Sequence, residues 1–404
     1  MGWITEYHPT KDELDACVQC GLCLPVCPTF RLTGRETASP RGRLHAMSAV
    51  AEGVVEVDQS FAGILDFCLG CRACEPICPG LVPYGRALEG ARAEIDAQVP
   101  GRSSKRTLLL GRVIPNRALL RLGSWLLSLA QVLGLTRLTP RALRRVTGGV
   151  RRLRGRGVGS IGHVGGSGEL GRVGLLTGCI QDQWFRPVNR AAITLLERAG
   201  YRVEAPTGQT CCGALAAHDG KAFIATQLAK LNLPVFSGYD LVVATAAGCS
   251  AHLRGYGHWG EEGDALAGHA VDVTVAVSRA ISGGHLLTLA PGRGPVAIQD
   301  PCHLRHGLRV TREPRHILEA AGYQVIEIDE AGMCCGAAGL YTLLQPEASS
   351  ALGNQKASQV RSTGVTRVAS ANPGCEMQLR AHLGGGFEIF HPIEWYLRAL
   401  EDER

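Results

Sequence analysis

Eight of the 16 cysteines in this 404-residue chain fall into two runs near its start, and both runs read C-x2-C-x2-C-x3-C-P. Three cysteines with this spacing can bind three irons of one cubane, while the fourth cysteine of each run points away and binds the other cluster. The spacing therefore predicts two [4Fe–4S] clusters. We assign their ligands as Cys17, Cys20, Cys23 and Cys78 for the first cluster and Cys68, Cys71, Cys74 and Cys27 for the second.

Zinc is the alternative metal for these cysteines, because paired C-x2-C units also occur in zinc ribbons and fingers. A tetrahedral zinc ion needs only two such pairs, so it leaves the third cysteine and the Cys-Pro of each run unexplained. Disulfides fit less well still, since thiols in a reducing compartment stay reduced. Two clusters that exchange a ligand must lie close together, and this arrangement suits sequential one-electron transfer.

The other eight cysteines form an internal repeat, in which the second set lies 123 to 126 residues after the first. The two halves read C-x31-C-C-x36-C and C-x31-C-C-x39-C, and a glycine follows each Cys-Cys pair. Each half can bring four thiolates together, enough for a further iron–sulfur cluster, whereas the alternative is that these are buried apolar cysteines. The duplicated spacing favours cluster or redox chemistry. The candidate ligands are Cys179, Cys211, Cys212 and Cys249, then Cys302, Cys334, Cys335 and Cys375.

Apolar strands and helices alternate around these cysteines in the same order in both halves. A strand runs into the first cysteine at 173–177 and again at 295–299, and a helix ending in Ala-Gly-Tyr follows. A second strand precedes Cys-Cys-Gly, and a third, at 241–245 or 367–370, leads to the last cysteine. This alternation predicts βαβ units with a parallel sheet, where loops at the carboxyl ends of the strands form a site. We therefore expect all eight cysteines in such loops.

These patterns predict a multidomain chain of mixed α+β and α/β class. Residues 1–100 are expected to form a helical, ferredoxin-like domain for the two [4Fe–4S] clusters, with a helix from Arg41 to Gly53 between the cysteine runs. Residues 101–171 are a basic helical segment followed by an Arg/Gly linker, which we expect to be flexible over 141–171. Residues 172–290 and 291–404 are two α/β Cys-Cys-Gly domains.

One glycine motif in the linker resembles a nucleotide-binding fingerprint. Gly157, Gly159 and Gly162 match G-x-G-x-x-G, but an Arg-Gly-Arg stretch precedes them where a dinucleotide site needs a buried strand. We interpret the match as chance. Because no other flavin or nicotinamide fingerprint is present, we expect no flavin or NAD bound by this chain itself.

Composition and charge limit the class of protein and its location. With 45% hydrophobic and 19% charged residues, the chain should fold into globular domains. Five charged residues interrupt the first 15, so we expect no secretory signal and a cytoplasmic protein. The longest uncharged stretch near the middle, 122–136, is shorter than the roughly 20 apolar residues of a membrane-spanning helix, so none is expected.

The formal net charge of +6 is concentrated between Arg102 and Arg156. No aromatic platform or nucleic-acid motif accompanies it, so nucleic acid is not an expected partner. Residues 108–156 combine apolar faces, Trp125 and many arginines, as in a helix that lies on an anionic membrane surface. The alternative is a solvated or partner-covered helix that links two domains. The first interpretation would place the protein peripherally on the inner face of the plasma membrane.

The whole layout resembles the iron–sulfur subunits of glycolate oxidase over essentially the full chain. It is also similar to that of lactate-utilisation iron–sulfur proteins and of the C subunit of anaerobic glycerol-3-phosphate dehydrogenase, while heterodisulfide reductase B subunits share the Cys-Cys-Gly domain. The segments that carry the resemblance are Cys17–Phe30, Ser39–Arg43, Cys68–Gly85, Gly178–Val188, Cys211–Gly220, Asp300–His303, Asn372–Cys375 and His391-Pro392.

The resemblance implies a complex in which a separate flavoprotein oxidises glycolate to glyoxylate. This chain would be its electron-transfer subunit, carrying electrons toward membrane quinone, with no catalytic residue of its own. Three alternatives stay open: the same role with lactate or glycerol 3-phosphate as the partner's substrate, a thiol/disulfide redox enzyme like heterodisulfide reductase, and a scaffold for cluster storage or assembly.

The chain departs from the heterodisulfide reductase pattern at one position in each half. There each half ends in C-x-x-C, whereas here His252 and Gln378 stand three residues after the last cysteine. A five-cysteine, non-cubane cluster therefore does not carry over directly. His252 or His303 could supply a nitrogen ligand, and the alternative for both is a structural, hydrogen-bonding role.

Overall fold

The computed structural model describes residues 2–101, 104–135, 149–151, 157–160, 162–260, 262–328 and 332–403. Residues 2–101 are helical and contain no strand, as the ferredoxin-like assignment predicts. Their α-helices are α1 (Lys11–Asp15), α2 (Pro28–Thr33), α3 (Pro40–Ala51), α4 (Gln59–Asp66) and α5 (Tyr84–Gln98), with a 3-10 turn at Glu36–Ala38.

Helices α3, α4 and α5 pack around one apolar core. Met47 of α3, Leu65 of α4 and Leu88 of α5 are buried in it, together with two of the predicted cluster ligands, Cys68 and Cys74. The cysteines are therefore part of the packing of this domain. Burying them next to apolar side chains excludes water from the predicted cluster sites.

The start of α3 is held by a close contact with the turn before it. The Ser39 hydroxyl caps the helix by accepting a hydrogen bond from the Gly42 N–H at 2.9 Å. Glycine is required at position 42 because a Cβ there would lie 2.1 Å from the Glu36 carbonyl oxygen. This contact fixes the direction in which Arg41 and Arg43 leave the helix.

The middle of the chain contains α6 (Ser104–Leu108), a π-helical turn at Leu109–Val113 and α7 (Arg117–Val132). Asn116 caps α7, since its side-chain oxygen accepts hydrogen bonds from the next turn of backbone. In the part of the chain that the structure describes, no helix has the length and apolar character needed to cross a bilayer. Residues 136–140 of the predicted basic helical segment and residues 141–148, 152–156 and 161 of the predicted linker lie outside the described residues.

Two sheets follow, one in each predicted Cys-Cys-Gly domain. The first has the strand order β1-β3-β2-β4-β5 and the second β7-β6-β8-β9. All neighbouring strands are parallel except β1 and β3, so the predicted parallel sheets are confirmed. The strands are β1 (His163–Gly165), β2 (Arg172–Leu176), β3 (Arg202–Ala205), β4 (Leu241–Ala244), β5 (Ala270–Asp272), β6 (Pro295–Gln299), β7 (Gln324–Glu327), β8 (Arg367–Ser370) and β9 (Glu388–Phe390).

Helices connect and cover these strands. The first domain has α8 (Ile180–Trp184), α9 (Arg186–Ala199), α10 (Ala214–His218), α11 (Ala222–Asn232), α12 (Ala247–Leu253), α13 (Gly263–His269) and α14 (Val273–Ser282), with 3-10 turns at Val158–Ser160 and Tyr256–His258. The second has α15 (Arg312–Ala320), α16 (Tyr341–Leu344), α17 (Pro346–Ser362), α18 (Pro373–Leu383) and α19 (Pro392–Asp402), with a π-helical turn at His303–Gly307.

The two repeats share a hydrophobic core at their junction. Leu195 of α9, Val277 of α14, Ile317 of α15 and Tyr396 of α19 are all buried in this core. Helices from both repeats therefore cover the same apolar surface. We conclude that the two domains support each other's packing and hold their cysteine sites in a fixed relation.

The flexible-linker interpretation is wrong for several described residues. Residues 163–165 form β1 and pair with β3, with His163 opposite Ala205. Arg151 is only 10% exposed and forms ion pairs with Glu376 and Glu394 of the second repeat, which are 2% and 6% exposed. An Arg/Gly-rich segment is expected to be flexible only if its arginines form no ion pairs with distant parts of the chain. Here Arg151 forms ion pairs with two buried carboxylates, which hold it in place.

The glycine motif of the linker has a packing explanation. A Cβ at Gly157 would lie 2.3 Å from Asp182 Oδ2, and one at Gly159 would lie 2.3 Å from Thr177 Oγ1. The Gly159 N–H also donates a hydrogen bond to Asp182 Oδ1 at 3.2 Å. Gly157 and Gly159 therefore let the chain pass closely over Thr177 and Asp182, which lie on either side of Cys179.

Candidate metal centres

The first predicted site lies at the surface of the N-terminal domain. Cys17, Cys20 and Cys23 line one cavity together with Cys78 of the second run. Gln19 and Gly21 have φ angles of 55° and 80°, so the loop curls and its cysteines converge. Cys20 is exposed, and burial raises the pKa of Cys23 to about 11.

A close backbone contact brings Cys78 to this site. Gly80, two residues after Cys78, packs against Ala16, and a Cβ at Gly80 would lie 2.2 Å from the Ala16 carbonyl oxygen. Cys78 is therefore held beside the loop that begins at Cys17, next to the first three cysteines of the other run. This is the position that a ligand donated to the first cluster requires.

The second predicted site is buried. Cys27, Cys68, Cys71 and Cys74 are between 6% and 8% exposed. Burial raises the pKa values of Cys71 and Cys74 well above the ordinary range, and the negative charge that Cys27 would carry raises both further. The fourth cysteine of the first run thus lies with the first three of the second run, as cross-ligation needs.

The two sites adjoin each other. Cys74 also lines the cavity of the first site, and Cys27 lies close enough to Cys23 to raise the pKa of that thiol. Cys27 is the N-cap residue of α2, and Pro28 occupies the first position of that helix, where its missing N–H costs nothing. The Cys-Pro of the first run therefore has a structural role in turning the chain after the ligand.

The third candidate site brings together the four cysteines of the first repeat. The sulfurs of Cys179 and Cys211 are 3.5 Å apart, and those of Cys212 and Cys249 are 3.2 Å apart. The Tyr256 hydroxyl donates a hydrogen bond to the Cys212 carbonyl at 2.7 Å and so holds the Cys-Cys pair in place. The four thiols come from three different segments, as the repeat predicts.

The fourth candidate site repeats this arrangement in the second half. The thiol of Cys302 is hydrogen-bonded with that of Cys334, and Cys335 with Cys375, which are the same pairings as in the first repeat. Gly336, after the Cys-Cys pair, has a φ of 87°, and its N–H donates to the Cys334 sulfur at 3.4 Å. A residue with a side chain would be strained at this position.

The expectation that all eight cysteines lie in loops is wrong for the last cysteine of each half. Cys249 lies in the first turn of α12, and Cys375 in the first turn of α18. Each helix begins within three residues of the preceding strand, so no loop long enough to hold the cysteine remains. A cysteine in a first helical turn is rigidly placed, because the helix fixes its backbone.

The second and fourth sites share an apolar contact. Cys71 and Cys334 belong to one hydrophobic cluster with Met333 and Tyr341, and Cys302 packs against it. The Tyr341 hydroxyl donates a hydrogen bond to the Phe67 carbonyl at 3.2 Å, across the boundary between the domains. The buried N-terminal site therefore lies directly beside the cysteines of the second repeat.

His252 and His303 lie close to the junction of the three domains. Burial lowers the pKa of His252 to about 4 and that of His303 to about 3, so both rings are neutral. Neither Nε2 atom has a hydrogen-bond partner in the described part of the chain. Gln378, the counterpart of His252, donates instead to the Ser349 carbonyl at 2.9 Å, which gives Gln378 a structural role.

Two further residues at this junction were missed by the sequence analysis. The His218 ring lies 5.0 Å from that of His303, between centroids, and its Nδ1 is 2.7 Å from Glu89 Oε1. Burial is the largest influence and favours the neutral acid, but the hydrogen bond with His218 and the positive charges around Glu89 together lower its pKa to about 2. In the sequence, the only indication that His218 lies near this junction is its position shortly after the Cys-Cys-Gly segment.

Across the described ranges, no group of three or more His, Cys, Asp or Glu side chains is arranged to hold a single metal ion. Zinc–sulfur bonds of about 2.3 Å would draw four thiolates to within about 4 Å of one another. A cubane takes one thiolate at each of its irons and so sets its ligands farther apart. For the N-terminal cysteines the choice of clusters over zinc rests on their spacing, since a tetrahedral zinc ion would leave the third cysteine and the Cys-Pro of each run unexplained.

Comparison with known proteins agrees with these observations. Residues 13–82 match the 4Fe-4S dicluster domain, and residues 173–254 and 296–380 each match the cysteine-rich domain. A Bacillus subtilis protein described as a probable glycolate oxidase iron-sulfur subunit is 34% identical over 96% of this chain and 94% of its own length. The chain belongs to the family of glycolate oxidase iron–sulfur subunits. The Escherichia coli glycolate oxidase iron-sulfur subunit is 30% identical over 96% of this chain and 95% of its own length.

A third relative is a subunit of a differently named enzyme. One subunit of the fumarate reductase (CoM/CoB) of Methanothermobacter marburgensis is 27% identical over 98% of this chain and 74% of its own length. As a member of the glycolate oxidase iron–sulfur subunit family, the chain is an iron–sulfur electron-transfer subunit of a dehydrogenase. The dicluster domain and the two cysteine-rich domains are the parts that bind its iron–sulfur clusters.

Proposed function

We propose that this chain is the electron-transfer subunit of a flavin-dependent glycolate oxidase, or dehydrogenase, complex. It takes electrons from a separate flavoprotein that oxidises glycolate to glyoxylate and relays them toward membrane quinone. The observation that carries the proposal is the order of the cysteine sites: an exposed site adjoins a buried one, and the buried one adjoins the second repeat. Such a series leads electrons from the surface into the molecule.

The proposed ligands are the eight N-terminal cysteines for two [4Fe–4S] clusters, exchanged between the runs as described. We propose the eight remaining cysteines as ligands of one or two further clusters. We also propose that the chain is divided into four functional units, residues 1–100, 101–171, 172–290 and 291–404. When bound, these clusters supply one-electron redox chemistry. The chain's own contribution is to hold them at fixed separations, exclude water from the inner site and position charges around it.

Two other functions remain as competitors. The first keeps electron transfer but gives the flavoprotein lactate or glycerol 3-phosphate as substrate. The second is thiol/disulfide chemistry at the Cys-Cys-Gly sites, and the likeness to a fumarate reductase (CoM/CoB) subunit over 98% of this chain favours testing it. The two differ in whether the isolated chain turns over any substrate.

The complex itself provides the test. The chain is purified anaerobically with its flavoprotein partner, and glycolate, D-lactate, L-lactate and glycerol 3-phosphate are each supplied with a quinone analogue as acceptor. We expect glycolate to be oxidised fastest and quinone reduction to require both proteins. The chain alone, with the same acids or with a disulfide substrate, should be inactive. Faster oxidation of another acid, or disulfide reduction by the chain alone, would favour the corresponding competitor.

We further propose that α7 contacts the surface of an anionic membrane from the cytoplasmic side. Leu120 and Ser124 face the protein, and the Trp184 indole N–H donates a hydrogen bond to the Ser124 hydroxyl at 3.0 Å. The opposite face is apolar and open, since Leu122, Trp125 and Leu126 are 55%, 60% and 52% exposed. Exposed apolar helix faces beside arginines are typical of membrane-surface helices.

Vesicle sedimentation tests this contact. The double variant Leu122→Glu/Leu126→Glu should bind vesicles containing anionic lipid at least about tenfold more weakly, because each leucine contributes roughly 1.5–3 kcal/mol when buried. Binding of the unchanged chain should also weaken in high salt. Phe223→Glu is the matched control, because Phe223 is an equally apolar residue that is 70% exposed on α11. Equal binding of the double variant, or binding that salt does not affect, would contradict the proposal.

A further inference from the structure

Arg43 is a fully buried arginine beside the inner cysteine site. It lies in α3, is 0% exposed, and its Nε donates a hydrogen bond to the Ile64 carbonyl at 3.0 Å. Nη2 donates to the Thr29 hydroxyl at 3.1 Å, while Nη1 has no hydrogen-bond partner in the described residues. The guanidinium is therefore held rigidly, and the N–H groups of Nη1 are available to donate to a further acceptor.

Arg92 of α5 is a second buried arginine at the same site and is 9% exposed. Its hydrogen bonds go to backbone carbonyls, to those of Leu65 at 3.0 Å, Cys68 at 2.6 Å and His218 at 2.7 Å. Within the described ranges, neither Arg43 nor Arg92 forms an ion pair with an Asp or Glu side chain. Two buried cations without an anion are costly, so the folded protein must supply negative charge close to them.

The thiolates of the inner site are the anions within reach. The Thr29 hydroxyl that Arg43 contacts is 3.3 Å from the Cys27 sulfur. Tyr84, which also lies close to Arg43, has its hydroxyl 3.6 Å from the Cys68 sulfur. Arg92 donates a hydrogen bond directly to the backbone carbonyl of Cys68, so both arginines lie beside cysteines of the inner site.

Among the described residues that line the outer site, none is a buried cation without an anionic partner. The arginine that lines it, Arg41, is paired with Glu36, the Arg41 Nε lying 2.8 Å from Glu36 Oε1. The side chain of Arg41 is also 33% exposed, so water screens its charge. The two cysteine sites therefore differ in the net positive charge placed beside them, although their sequences are nearly the same.

We propose that Arg43, assisted by Arg92, is the counter-charge of the cluster bound by Cys27, Cys68, Cys71 and Cys74 and raises its reduction potential. A cluster carries one more negative charge when reduced, so a fixed cation favours the reduced form. One electron then passes from the outer cluster, which returns to its oxidised state, to the inner cluster, which becomes reduced. The inference rests on the proposed cluster assignment. It adds the direction of electron transfer, from the outer cluster to the inner one.

Anaerobic redox titration, followed by electron paramagnetic resonance, tests this role in the full chain. In Arg43→Gln, one [4Fe–4S] couple should shift to a more negative potential while the other stays unchanged. Arg43→Lys keeps the charge and should shift that couple much less. Arg41→Gln is the matched control, two residues away on the same helix, and it should leave the inner couple where it is. Arg92→Gln should shift the inner couple in the same direction as Arg43→Gln.

Iron and acid-labile sulfide counts separate failure of this inference from failure of the proposed function. If the unchanged chain contains no iron, the cluster assignment itself is wrong. If Arg43→Gln keeps its iron and both couples keep their potentials, or if Arg43→Lys shifts as far as Arg43→Gln, the counter-charge role is wrong. If Arg43→Gln loses the inner cluster but Arg43→Lys keeps it, the requirement for charge is supported. If both lose it, an unchanged couple in Arg92→Gln overturns the proposal.

Discussion

Replacing Cys27 with alanine is expected to remove the cluster of the second cysteine run and to leave that of its own run in place. Cys27 lies with Cys68, Cys71 and Cys74 in the buried site, and a cubane that loses one of four thiolates is destabilised. The variant should lose about four irons per chain, the content of one cubane. Electron transfer from the flavoprotein to quinone should fall to background, because the series of sites is interrupted.

Three companion variants make this result specific. Cys71→Ala should lose the same paramagnetic resonance signal as Cys27→Ala, because both remove a ligand of the inner cluster. Cys20→Ala and Cys78→Ala should lose the other signal, since Cys20 and Cys78 line the same cavity. The cross-ligation would be wrong if Cys27→Ala and Cys20→Ala removed the same signal. Binding of one zinc ion in place of the clusters would overturn the assignment as a whole.

The sequence predicted most of the sheet framework because its central strands are short, apolar and duplicated. The observed β6 and β8 have the predicted bounds, β4 ends one residue earlier than predicted, and β2 begins and ends one residue earlier. The three-residue strands β1, β5 and β9 were not predicted. A strand of three residues is too short to establish a period of two, so its existence depends on the neighbour that it pairs with.

The cysteine sites were predictable for a different reason. Cysteine spacing within a run can be read directly from the sequence. In the C-terminal half the same cysteine pattern occurs twice, which makes it easier to recognise. The charges around the sites are not local. Arg43, Arg92 and Glu89 belong to helices, where charged residues usually face water, and only the packing of three domains turns them inward. Sequence alone therefore indicates where clusters bind but not what sets their potentials.

The structure also gives the two repeats unequal roles, although their sequences are alike. Cys302 and Cys334 of the second repeat pack with Cys71 of the inner site, whereas the first repeat meets helix α5 of the N-terminal domain through contacts such as His218–Glu89 and Lys221–Asp96. A further cluster held by Cys302, Cys334, Cys335 and Cys375 would be the natural electron acceptor for the inner cluster. The route we infer therefore runs from the outer site through the inner site to the second repeat.

Cys302→Ala is accordingly expected to stop electrons from leaving the N-terminal domain. With glycolate and the flavoprotein present, the two N-terminal clusters should accumulate in the reduced state, while reduction of the quinone analogue falls to background. Iron in the N-terminal clusters should be unchanged, because Cys302 is not one of their proposed ligands. Cys179→Ala is the matched control, since it removes the equivalent thiol of the first repeat, and it should still allow the N-terminal clusters to be reoxidised. Unimpaired quinone reduction in Cys302→Ala, or a block in Cys179→Ala alone, would instead place the exit of electrons in the first repeat.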